Sequence, residues 1–450
     1  MIFNSYAFLA FFPIVTLAYY RMPMRARRPW LLAASYYFYM CWNAQYALLI
    51  AASTLVTYLC ALALGRIEAK AGRRAVLALG LAINLGILCF FKYFGFFTDT
   101  FARIAARLGV RLAIPAFDVL LPVGISFYTF QAVGYLIDCY RGRHPAENNY
   151  ARFLLFISFF PQLIQGPINR YGEMAPQLTA RHIWNWERTK RALFLFLFGA
   201  MKKYAIANLT APTIAAILDG NDPKLAGSMA LLAILLYSLQ QYADFSGGID
   251  LVTGIAQLFG IQLAPNFKRP YFSVSLGDFW RRWHISLGAW MRDYVFYPFA
   301  LTRPVSRMSK ALKKKAGTHI ARALPAALGN ILVFLLVGVW HGAQMNYVLW
   351  GLYNGVILAF PALVEPVYKR MNDRLPRLTA SGGFHVFRIL RTFLVVNIGW
   401  YFDRCVRVCD AFAMLHKTFF AFNAQQLFDG TLDTLGLAAK DYRILLVATI

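Results

Sequence analysis

Apolar stretches close to the length of a bilayer crossing recur along this chain, separated by short basic or aromatic loops. They cover 3–20, 30–43, 45–65, 75–97, 117–139, 152–166, 190–218, 225–245, 248–263, 325–341, 346–367, 386–403 and, at the end, 438–450. A helix needs about 20 mostly apolar residues to cross a membrane, and several of these stretches fall short. The short ones read as re-entrant or interfacial pieces, which persist in a bilayer only where protein or a water-filled cavity surrounds their backbone. The pattern therefore predicts an all-α polytopic integral membrane protein with an internal cavity. Between 266 and 323 the character changes: "NFKRPYFSVSLGDFWRRWHISLGAWMRDYVFYPFALTRP" has no uninterrupted apolar run. It predicts amphipathic helices at the interface or folded into the bundle. No repeat, low-complexity tract or flexible linker divides the chain. One integral domain over 1–450 is expected, with its interfacial and re-entrant part at 240–350. The last apolar run rises only about 10 Å, so either the native chain continues or this end packs part-way in.

Composition sharpens the reading. The chain is 59% hydrophobic and 15% charged, whereas a soluble domain carries roughly 25% charged residues. Its net charge of +26 resides largely in short loops such as "RMPMRARRP", "RIEAKAGRR", "KALKKKAGTHIAR" and "YKRMNDRLPR". That is the positive-inside pattern, which assigns these loops to the cytoplasm. No recognition motif accompanies the charge, so nucleic acid is excluded as a partner and membrane lipids are expected. Six cysteines are scattered without metal-like spacing, which predicts structural thiols and no metal site. The opening "MIFNSYAFLAFFPIVTLAYY" lacks a basic n-region and reads as a retained first helix.

Polar residues inside apolar runs are the chemical candidates, because an ionisable group there costs roughly 2.5 kcal/mol or more. His341 follows ten apolar or glycine residues that begin at Ile331. That run rises about 15 Å and puts the imidazole near the bilayer midplane. Its chemistry is either a general base or a neutral hydrogen-bond donor between helices. In "FWRRWHISLGAW", Trp280 and His284 are four apart and share one face of a helix, with Asp278 off that face. Arg281, Arg282 and Arg292 suit either phosphate or carboxylate recognition or a grip on anionic lipid heads. Three further stretches break apolar runs. "SFFPQLIQGPINR" holds Gln165, "QQYADFSGGID" sets Asp244 and Asp250 around a Ser-Gly-Gly break, and "LPVGISFYTFQAVGYLIDCYRG" carries Gln131 and Asp138. Each is structural or part of a converging polar interior.

In order, "FNSYAFLAFFP", "FKYFGFF", "LPVGISFYTFQAVGYLIDCYRG", "FFPQLIQGPINR", "YADFSGGID", the 266–298 stretch, "GVWHGAQMNYVLWGLYNG" and "NIGWYFDR" resemble the membrane-bound O-acyltransferase family. The nearest branches are bacterial alginate O-acetyltransferase membrane subunits and D-alanyl transferases of lipoteichoic acid. The resemblance implies a helical body with a central tunnel, in which an acyl donor enters from the cytoplasm and the acceptor from the other face. It implies His341 as the base that deprotonates an acceptor hydroxyl. It implies His284 as a second active-site histidine that orients the donor or supports the oxyanion. Trp280, Arg281, Arg282, Trp283, Trp340, Asp278, Asn346, Asp244 and Gln165 are the accompanying candidates for substrate and donor binding. The expected donor is acetyl-CoA or an acyl-carrier protein, with no tightly bound cofactor. Further expected partners are an extracytoplasmic acyltransferase or esterase-like protein and polysaccharide machinery at a bacterial plasma membrane. D-alanyl transfer is the alternative chemistry. A transporter or flippase is the alternative class, but it would show matching broken helices in both halves, and both histidine motifs lie in the second.

Overall fold

A computed structural model describes residues 1, 3, 5–109, 121–220 and 222–449. It is about 80% helical, and no strand occurs among the described residues. Among the described residues, five helical stretches are long and apolar enough to cross a membrane: Ala44–Arg66, Lys70–Arg107, Trp186–Leu218, Arg303–His341 and Met345–Leu363. Their outward residues are apolar, with Leu48 74%, Phe194 71% and Phe360 56% exposed. A surface of that kind suits lipid rather than water.

The chain divides into two compact units, Met1–Phe198 with Gly248–Pro265, and Gly199–Gly247 with Asn266–Ile450. The first unit contains Tyr6–Arg21, Met24–Met40, Ala44–Arg66, Lys70–Arg107, Ile125–Tyr140, Tyr150–Ser158 and Tyr171–Thr179. Its core is aromatic. Phe8 stacks on Phe12 at 5.5 Å, and Phe160 and Tyr19 meet Phe259 edge-on at 5.9 and 5.3 Å. The initial residues of the predicted 117–139 stretch lie outside the described residues. The "FFPQLIQGPINR" break is stapled internally. Asn169 Nδ2 donates to Gln162 Oε1 at 2.6 Å, while Gln162 Nε2 donates to the Phe156 carbonyl at 2.6 Å. Asp138 pairs with the loop residue Arg143 at 3.1 Å. These polar groups satisfy one another, which is the structural one of the two outcomes left open for them.

The predicted break at Ser-Gly-Gly is absent: 225–245 and 248–263 form one helix, Gly227–Leu258. The glycines are there for close approach, since a Cβ on Gly247 would lie 2.7 Å from the Gly199 carbonyl oxygen. Helices that pack backbone to backbone in lipid favour such small residues.

In the second unit, Arg303–His341 and Met345–Leu363 form a tight helical hairpin. A Cβ on Gly355 would meet Ile331 Cα at 2.8 Å, so this pair also packs main chain against main chain. Arg303–His341 is two helices joined across a kink at Gly317, φ 85° and ψ 172°. A left-handed φ of this kind suits glycine, which has no Cβ to clash. The 266–302 segment folds inward. Phe279 is fully buried and Trp283 nearly so, which resolves the choice between interfacial and inward folding in favour of the second.

Candidate active site

Residues 266–268 run antiparallel to 282–285 and hold the histidine motif from behind. Lys268 N donates to the Arg282 carbonyl at 2.9 Å, and Ile285 N to the Asn266 carbonyl at 3.0 Å. Phe267 and Trp283 form the bridge between them. The motif itself is two short helices, Leu276–Trp280 and Ile285–Met291, with His284 at the junction. This overturns the reading of Trp280 and His284 as one helical face. The helix stops at Trp280, and His284 caps the next helix in the left-handed conformation, φ 47° and ψ 52°. A non-glycine residue held there carries strain that its surroundings must sustain.

The clamp extends to the side chain. Asn266 Oδ1 accepts from His284 Nδ1 at 3.1 Å, from Ser286 N at 3.1 Å and from Ser286 Oγ at 2.8 Å. His284 is 5% exposed, with Phe245 packed edge-on against its ring at 4.8 Å. Burial, and secondarily the nearby His341, push its pKa down from 6.5 to about 3. The imidazole is therefore neutral at any physiological pH.

A cavity of about 660 Å³ opens beside this clamp. His284 and His341 both line it, with Trp280, Trp283, Trp350 and Trp400 as apolar wall and Arg281 and Arg292 as cationic groups. This volume lies within the range of small-molecule sites. His341 is the last residue of its helix, which turns at Gly342. Unlike His284 it is exposed, and its ring touches Trp340 at 5.0 Å, Trp350 at 5.1 Å and Tyr347 at 5.9 Å. Trp280 is oriented by its indole N–H, which donates to Asn354 Oδ1 at 3.2 Å.

The remaining candidates do not line the cavity. Asp278 and Arg282 brace the motif: Arg282 Nε donates to Asp278 Oδ1 at 3.1 Å, and its Nη2 lies 3.1 Å from Oδ2. Burial would raise the Asp278 carboxyl, but Arg282, the Val274 N–H and Arg281 outweigh it and hold it below its usual range. Trp340 sits behind the wall, its ring 6.2 Å from that of His284. Asn346 is buried and donates to the Phe402 carbonyl at 3.2 Å. Asp244 pairs with Lys203 and does not line the cavity. Gln165 belongs to the first unit, where it packs against Gly248. Among the described residues no cluster of His, Cys, Asp or Glu is arranged to hold a metal.

Several contributors escaped the sequence reading, Trp350 and Trp400 of the wall among them, and two carry polar chemistry at the site. Asn266 is one. The other is Asp403, which lines the cavity with Gln241 and accepts from Tyr237 OH at 2.7 Å and Gln241 Nε2 at 3.2 Å. An acid at the end of an apolar run was the available signal for Asp403. Asn266 offered none.

Residues 143–395 match the model of the membrane-bound O-acyltransferase family. The chain is 33% identical to a "Probable alginate O-acetylase" of Azotobacter vinelandii, over 95% of this chain and 80% of that protein. It is 32% identical to a "Peptidoglycan O-acetyltransferase" of Helicobacter pylori, over 92% and 79%. A "Teichoic acid D-alanyltransferase" of Bacillus subtilis is 30% identical over 64% of this chain and 69% of its own length.

Proposed function

Since the chain belongs to the membrane-bound O-acyltransferase family, we propose that it moves an acetyl group from a cytoplasmic thioester to a hydroxyl of an exported or cell-envelope polysaccharide, or of an intermediate carrier. That it is a multi-pass membrane acyltransferase follows from the family; the acyl group, donor, acceptor and residue roles are the proposal. The observation that carries it is the sharing of one aromatic-walled cavity by His284 and His341.

His341 takes the proton from the acceptor hydroxyl, and the oxygen attacks the thioester carbonyl carbon. As the tetrahedral intermediate collapses, the C–O bond is kept and the C–S bond breaks. The leaving thiolate recovers the proton from the His341 imidazolium. Arg281 and Arg292 attract the anionic part of the donor, acetyl-CoA or an acyl-carrier protein, and the tryptophans keep water from the acyl group. No tightly bound cofactor is required by this chemistry. The enzyme resides in the bacterial plasma membrane with its basic loops inward, and an extracytoplasmic esterase-like protein passes the group to the glycan. Acetyl is favoured over D-alanyl because the O-acetylating relatives align over nearly the whole chain, the D-alanylating one over 64%. Mass spectrometry of envelope glycans from cells carrying wild type or His341→Ala tests this. Loss of O-acetyl with normal membrane insertion of the variant is expected. Acetylation at wild-type level in the variant sinks the assignment, and loss of D-alanyl esters instead selects the second chemistry.

A further inference from the structure

We propose that Asn266 is a positioning residue that fixes the proton of His284 on Nδ1, so that His284 offers an unprotonated Nε2 and accepts a hydrogen bond from the substrate. The orientation of the amide is set by Ser286. Its backbone N–H can only donate, so the Asn266 side-chain atom that it meets at 3.1 Å is the oxygen. An amide oxygen only accepts. The contact at 3.1 Å with His284 therefore requires a proton on Nδ1. The ring is neutral, so it holds one proton and Nε2 is a bare lone pair.

Nε2 is buried and has no hydrogen-bond partner among the described residues. Asn266 Nδ2 has none either, so the amide is held in this orientation from its oxygen side. A native protein rarely leaves an acceptor buried in this way unless something else fills the role. Phe245 and Trp340 meet the His284 ring with their own rings, at 4.8 and 6.2 Å. The charged and titratable groups that share its cavity are His341, Arg281, Arg292, Tyr297 and Asp403. The left-handed backbone at His284 adds to the case: Ile285 N on the Asn266 carbonyl fixes the main chain while Oδ1 fixes the ring.

A bare Nε2 cannot donate to a carbonyl oxygen that is gaining negative charge. It can accept from an N–H or O–H. Two substrate groups have that chemistry, an amide N–H of the thioester arm and a neighbouring hydroxyl of the glycan. Bound there, either would be held for His341 to work on without competing for its proton. The proposal rests on the acyl-transfer reading, but the tautomer does not depend on turnover.

Nitrogen-15 NMR of histidine-labelled wild type, with His284 assigned by its absence in His284→Gln, reads the tautomer directly. Nδ1 protonated and Nε2 bare is expected; Nε2 protonated in the resting protein overturns the proposal, whatever the enzyme's activity. Kinetics supply the second arm. Asn266→Leu removes the acceptor and should raise one KM about tenfold, the equivalent of one lost hydrogen bond. A rise for the thioester assigns its amide, a rise for the glycan assigns its hydroxyl, and no change in either refutes the role. Asn266→Asp keeps the acceptor oxygen but adds a carboxylate beside the ring, which favours imidazolium. The acid side of its pH–rate profile should move to higher pH. A profile superimposable on wild type counts against the proposal, even where Asn266→Leu fails to fold.

Discussion

His341 and His284 reach the same cavity from opposite kinds of structure. The first ends the apolar helix that follows the Gly317 kink, is exposed, and is placed by a regular hairpin that could be drawn from hydrophobic periodicity. The second sits in a left-handed junction between two short helices, is buried, and is placed by a single amide oxygen. A group that must exchange protons with substrate benefits from access, and His341 has it. A group that must hold one tautomer benefits from burial and a fixed partner, and His284 has those. Equivalent-looking histidines in two motifs need not share a job.

Of the two histidines, His341 carries the larger expected effect. Its replacement by alanine should lower acyl transfer by about 10²–10⁴-fold, the usual share of a general base, with thermal stability in detergent little changed. His284→Gln should act on stability as well as on rate. Unfolded His284 takes a proton near 6.5, whereas the folded one resists until about 3. The folded state is therefore favoured fully above pH 6.5, and that advantage is lost progressively as pH falls towards 3. The melting temperature of the wild type should fall over that window more steeply than that of His284→Gln. Parallel curves would contradict the burial argument.

Arg281→Gln is a smaller perturbation. Its side chain is 73% exposed, so KM for an anionic donor should rise several-fold at most, about 1 kcal/mol or less, and the effect should shrink with added salt. Smallest is Asp278→Asn, which leaves the Arg282 fork with a neutral partner. A stability loss of about 1 kcal/mol or less is expected from chemical denaturation, with kcat nearly unchanged.

Much of the frame was legible because apolar runs and helices coincide. Ala44–Arg66 and Gly382–Arg404 lie within a few residues of the predicted 45–65 and 386–403. The Ser-Gly-Gly stretch misled because glycine breaks a helix in water, whereas here it admits a neighbouring backbone. The candidate site was legible where residues form a contiguous motif, as with Trp280, Arg281, Trp283 and His284. It was illegible where a contribution depends on chain reversal. Asn266 stands 18 positions before the ring that it orients, in a stretch with no periodicity to place it. Asp244 and Gln165 show the converse, since each breaks an apolar run and neither lines the cavity.

Gly317 has a consequence for mechanics. The stretch before it carries Arg303, Arg307, Lys310, Lys313, Lys314 and Lys315, while the stretch after it is largely apolar as far as His341. A continuous α-helix would force both onto one axis, and a cationic rod cannot enter hydrocarbon. With a left-handed glycine between them, the two arms need not be coaxial. The charged arm can rest along phosphate headgroups while the apolar arm stands across the bilayer, so that tilting one does not lever the imidazole at the far end of the other.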